Sequence, residues 1–160
     1  MKFVLFLVLI LPLFSVTPQP VSLCNTDEKI IFNCTIKENA KLVSLCSSRE
    51  FSKDRGYMQY RFGRPGKIEL EFPKSREKNQ QAFKYSHYFR AQVDLTEISF
   101  TSDNYQYSIF DDYNGEERPA QSSQGVKVTP PNGREVNLTC RGRAKADYSN
   151  LGEVFGTEEP

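Results

Sequence analysis

The chain has 160 residues, of which 38% are apolar and 26% charged. The first twenty carry one charge, Lys2, and an unbroken apolar run; about 140 residues remain beyond them, enough for one domain with a core and too few for two. With Lys2 set aside, basic and acidic groups are equal in number. That balance argues against a general nucleic-acid binder, which needs surplus positive charge, and against an acidic disordered tail as the main feature.

Met1-Lys2 is a short positive start, and Phe3 to Phe14 has no polar side chain. This run fits the apolar core of a signal peptide and falls short of the about 20 residues that span a bilayer. Residues 1–20 are therefore expected to be an export signal, and the protein to be secreted or periplasmic. Val21-Ser22-Leu23-Cys24 has a faint look of a lipoprotein cut site, but the residue before such a cysteine should be small and Leu23 is not. No second apolar run follows, so no transmembrane segment is expected.

Strand signals then dominate. Lys29–Ile36 is rich in β-branched and aromatic residues, and Ala40–Cys46 follows a polar turn at Glu38-Asn39. That turn sets Cys34 opposite Val43, not Cys46. Tyr57–Phe62 and Lys67–Phe72 are joined by Gly63-Arg64-Pro65-Gly66, a tight-turn composition. In the second of these, Ile68, Leu70 and Phe72 alternate with Lys67, Glu69 and Glu71, the period of a half-buried strand. Lys74–Gln81 reads as a polar loop. Phe83, Tyr85, His87 and Phe89 alternate again. Ile98 and Phe100 lead through Ser102-Asp103-Asn104 into Tyr105, Tyr107 and Ile109. Pro119 to Gly125 reads as loop. Val126 and Val128 pair with Val136 and Leu138 across Pro130-Pro131-Asn132-Gly133, where Asn-Gly favours a tight hairpin.

About nine strands at roughly 8–14-residue spacing predict an all-β fold, an antiparallel meander closed as a barrel or stacked as a two-sheet sandwich. The domain is expected over 21–145. A tail follows over 146–160, with its best helix signal at Tyr148–Phe155. Cys24, Cys34, Cys46 and Cys140 form an even set behind a signal peptide, which implies two disulfides. Three pairings are open, with Cys140 expected to meet one of the other three. With no CxxC spacing and one histidine, no zinc site and no other cofactor is expected.

Candidate sites are of several kinds. Arg61, Arg64 and Lys67 crowd the Gly63–Gly66 turn, a rigid basic element that could enter an acidic cleft. Tyr105, Tyr107 and Tyr113 flank Asp111-Asp112, an acidic cluster with Asn114, Glu116 and Glu117 that could hold calcium or supply paired carboxylates. The EF-hand spacing fails there, because with Gly115 at its sixth place Phe110 would stand first. His87 would have to serve any histidine-dependent nucleophile, yet no Gly-rich elbow surrounds a serine. Asn33-Cys34-Thr35 and Asn137-Leu138-Thr139 are glycosylation sequons inside expected strands.

Phe32–Thr35, Lys41–Cys46, Tyr57–Gly63 and Ile68–Pro73 resemble a group of small exported bacterial proteins. The likeness extends more loosely through Tyr107–Asp112, Gly125-Val126 and Cys140, and it implies no known activity. In size, compartment and β-rich pattern the chain is distantly similar to periplasmic lysozyme inhibitors. Those place a loop with a Ser-Gly pair and a Tyr into the lysozyme cleft.

The leading expectation is a binding protein, not an enzyme: an inhibitor or immunity-type domain that occludes a protein partner's cleft, with Arg64 pairing to carboxylates and tyrosines supplying buried area. The alternatives are an envelope hydrolase using Asp111, Asp112 or Glu116, and a carrier holding a small ligand inside a β-barrel.

Overall fold

The alternating stretches pair into two five-stranded antiparallel sheets, stacked as a sandwich. The computed structural model describes residues 21–156, so the expected export signal lies outside the described residues. One sheet contains β1 (Lys29–Thr35), β2 (Leu42–Ser47), β3 (Met58–Arg64), β4 (Lys67–Phe72) and β10 (Lys145–Ala146), in the order β10-β1-β2-β3-β4. The other is a meander of β5 (Lys84–Arg90), β6 (Val93–Ser102), β7 (Tyr105–Asn114), β8 (Gln121–Thr129) and β9 (Val136–Thr139). A short helix, α1 (Leu151–Phe155), closes the described chain.

Register explains which residues enter the core. Phe32, Leu45, Tyr60 and Phe72 form one row across the first sheet, and Cys34, Val43, Phe62 and Leu70 the next. The second sheet answers with Phe100, Tyr107 and Val128, then Ile98, Ile109 and Val126. Aromatic rings fill the space between: Phe100 stacks on Phe72 at 4.6 Å and on Tyr107 at 4.9 Å, and Tyr60 tilts against it at 4.9 Å. Offset and tilted contacts of this kind stabilise beyond the area they bury. No barrel forms, and rings occupy the interior where a carrier would hold its ligand.

Three local expectations give way. The stretch from Pro119 to Gly125 is not all loop, because β8 starts at Gln121 and pairs Gln121–Gln124 with Asp111–Asn114. Backbone pairing carries that strand end although its side chains are polar. Asn132-Gly133 does not make a two-residue hairpin; the Gly133 N–H reaches Pro130 O at 3.4 Å, and β9 begins only at Val136. The C-terminal segment is part of the body: β10 pairs with β1, and Leu151 and Val154 of α1 are buried.

The chain changes sheets at Cys140. Its N–H donates to Gln124 O at 2.8 Å, while Lys37 N–H donates to Thr139 O and Arg141 N–H to Thr35 O. Cys140 bridges Ile36 and is bonded to Cys34. The second disulfide joins Cys24 to Cys46. Cys24 is thus not free for a lipid.

Gly125 lies close against β9. A Cβ there would lie 2.1 Å from Leu138 O and 3.0 Å from the Phe110 ring. Gly125→Ala is expected to push β9 away and cost about 1–3 kcal/mol, as overpacking does. Urea denaturation would show this as a lower midpoint with an unchanged slope.

Candidate functional site

The first sheet carries a second buried layer on its outer face. Asn33, Ser44, Arg61 and Glu71 form a row there, next to Cys46 and Gln59. Residues 21–28 lie across this face. Leu23 N–H donates to Ser44 Oγ at 2.9 Å, and Asn33 Nδ2 donates to Val21 O at 3.1 Å. Arg61 is therefore not a surface residue of its turn; its side chain is 1% exposed. Its guanidinium donates to both Glu28 oxygens, at 2.6 and 2.8 Å, to Leu23 O at 3.0 Å and to Gln59 Oε1 at 2.6 Å. Burial works against the Glu28 charge, but bonds from Arg61, the Asn25 N–H and the Tyr57 hydroxyl outweigh it and hold the carboxyl below its ordinary range. A chelating cluster of Cys24, Glu28 and Cys46 gathers here, but its two sulfurs are bonded to each other. The Asn33 sequon is closed off by the same layer, since Asn33 is buried.

The inner face of the second sheet changes character along its length. The row Tyr85, Ile98, Ile109 and Val126 belongs to the core. The next is His87, Thr96, Asp111 and Gln124, and the one after is Phe89, Asp94, Tyr113 and Ser122. All four strands turn from apolar to polar at the same level. Most of these polar residues line an open cleft of about 1190 Å³, walled opposite by the segment from Cys140 to Gly152.

Its polar groups are held in place. His87 Nε2 lies 2.9 Å from Asp94 Oδ1. The Tyr148 hydroxyl donates to Asp111 Oδ2 at 3.2 Å. Gln124 Oε1 accepts the Ala144 N–H at 2.7 Å and ties the floor to the far wall. Burial, then the Asp111 charge, pushes the Tyr148 hydroxyl up, so it stays a donor at neutral pH. Burial and the Asp94 charge do the same to Tyr85. A file of rings runs along one side, with Tyr85 6.1 Å from Phe155 and 6.4 Å from His87, and Phe89 6.3 Å from His87. Thr96 is 5% exposed and lines the cleft between these groups.

Of the candidates read from sequence, only Asp111, Tyr113 and His87 line this cleft. Asp112 points to the opposite face of β7, as adjacent strand residues must; burial pushes its carboxyl up against the pull of Lys127. Glu116 is taken by a two-pronged ion pair with Arg90. The acidic cluster thus splits three ways, with Asp111 in the cleft, Asp112 on the opposite face and Glu116 paired to Arg90. Arg64 and Lys67 are exposed at the β3–β4 turn, where Arg64 Nη2 donates to Asn39 O at 3.0 Å. Tyr107 is packed against Phe100, whereas Tyr105 is 41% exposed beside it. Sequence reasoning missed Asp94, Thr96, Gln124 and Tyr148. The available signal was the switch from apolar to polar at alternate positions within each strand, read across all four in register.

Compared with protein-family models, with curated proteins and with solved structures, the chain matches none. It also contains no Ser-Gly pair of the kind that lysozyme inhibitors insert.

Proposed function

We infer that the protein is an exported binding domain that grips a protein partner and does not transform it, with the cleft over His87, Asp94, Thr96 and Asp111 as its recognition site. The observation that carries this reading is the set of polar groups at the open end of an otherwise ring-filled sandwich: Thr96 beside two carboxylates each held by one oxygen. Concave sites with a few fixed polar groups beside aromatic walls are the usual form of a ligand site. Among the described residues the His87 ring bonds to Asp94 and to no serine or cysteine, so it lacks the partner a Ser–His or Cys–His unit needs. Two disulfides favour an oxidising compartment, and no helix among the described residues is long and apolar enough to cross a membrane.

The exposed Arg64–Lys67 turn supports a second form of the reading, insertion into a partner as an inhibitor or immunity protein does. Two variants separate the forms. Ser122→Arg places a long side chain in the cleft from an exposed position, and Arg64→Ala blunts the turn. Recovery of a specific partner from extracellular or periplasmic extract is expected to fall with Ser122→Arg and to persist with Arg64→Ala. The reverse pattern would assign recognition to the turn, and equal recovery by both would remove the cleft from the reading.

A further inference from the structure

We propose that the group received by the cleft is a guanidinium, an arginine side chain presented by the partner. The proposal rests on the cleft being the recognition site. Asp94 and Asp111 stand diagonally on the inner faces of β6 and β7, Asp94 opposite Tyr113 and Asp111 opposite Thr96. Each carboxylate is oriented by a bond to one oxygen, from His87 to Asp94 Oδ1 and from Tyr148 to Asp111 Oδ2. The second oxygen of each has no partner among the described residues. The cleft therefore offers two aimed, open anionic acceptors, with Thr96 beside them in register.

Charge decides among ligands. The donor to Asp111 is a neutral phenol and leaves that negative charge uncompensated. The one arginine of the cleft, Arg143, is exposed on the far wall. A neutral ligand such as a saccharide would donate hydroxyls to these oxygens but bring no opposite charge to offset the cost of taking them out of water. A cation offsets that cost. Among cations a guanidinium fits best, because it is planar, donates as a fork to carboxylates and stacks on rings. Tyr85 and His87 supply such rings on the neighbouring strand, and Tyr113 a further one. Lysine would meet the charge but not the plane.

The test is a titration of the isotope-labelled full-length secreted chain, followed by amide chemical shifts. The probes are N-acetyl-arginine amide, its neutral isostere N-acetyl-citrulline amide, N-acetyl-lysine amide and cellotetraose. Arginine amide is expected to shift Thr96, Asp111 and Gln124 and to bind at least about tenfold tighter than citrulline amide. Added salt should weaken it. Asp111→Asn and, separately, Asp94→Asn should each abolish the response while the rest of the spectrum stays in place; two variants guard against one of them misfolding. Equal binding of citrulline amide, or a response to cellotetraose alone, would overturn the guanidinium and leave the cleft as a binding site. Lysine amide binding as well as arginine would overturn the preference for a planar cation. If no probe shifts cleft residues, the guanidinium falls; if Ser122→Arg also retains the partner, the cleft falls with it.

Discussion

Arg61→Ala is expected to destabilise the protein by about 3–5 kcal/mol, the range for removing one partner of a buried ion pair. For a domain of this size that is roughly 10–20 °C in melting temperature. The loss comes less from the missing attraction than from what remains: Glu28, with its side chain 0% exposed, would keep a charge beneath residues 21–28 with only Tyr57 and a backbone N–H to hold it. The companion double variant, Glu28→Leu with Arg61→Met, should recover much of the loss, since paired apolar replacements of buried ion pairs are often near neutral. A double variant as unstable as Arg61→Ala would count against this account. Acid should show the same pair. The folded Glu28 carboxyl titrates below its unfolded value. It therefore contributes stability that is fully present above the ordinary carboxylate pKa and is lost as pH falls through the lower folded one. Glu28→Gln should remove that share of the acid limb and leave the profile above pH ~6 parallel to wild type.

Breaking the Cys34–Cys140 disulfide with Cys34→Ala/Cys140→Ala should cost about 4–5 kcal/mol on chain entropy alone, because it ties residues 106 apart in sequence. The Cys24–Cys46 bond closes a separation of 22, for which the same reasoning gives about 3 kcal/mol. The two losses should differ in kind. Without Cys34–Cys140 the step between sheets loosens, and hydrogen exchange should rise around Lys37, Cys140 and β10. Without Cys24–Cys46 the layer over Arg61 loosens, and exchange should rise at Leu23 and Asn25 while the second sheet is unchanged. Uniform exchange in both variants would contradict this division.

Much of the fold was legible because side-chain alternation in a strand reports which face is wet. Lys67–Phe72 is a clear instance, and it forms β4 with the bounds expected. The polar turn at Glu38-Asn39 put Cys34 opposite Val43, as observed, and Cys140 does meet an N-terminal cysteine. What alternation cannot report is a third layer. Arg61 alternates with Tyr60 and Phe62, which assigns it to the outer face, and from sequence the outer face is solvent. Only the disulfide from Cys24 to Cys46 and the reach of Glu28 turn that face into an interior. The cleft escaped for a related reason. Thr96, Asp111 and Gln124 lie on three strands, and nothing in their spacing along the chain alone announces that they share one level. Asp111-Asp112 misled in the opposite direction, since neighbours in a strand are the residues least able to work together.

The pairing of β1 with β10 and the tie at Cys140 carry a consequence for how the molecule is made. As the chain emerges from its amino end, the outer margin of β1 stays bare until more than a hundred further residues have been synthesised. An uncovered strand margin invites adhesion to other chains, and contacts this distant in sequence form slowly. The last strand to appear is thus the seal on the first, and a molecule truncated before Cys140 should accumulate as aggregates even though nine of its strands are complete.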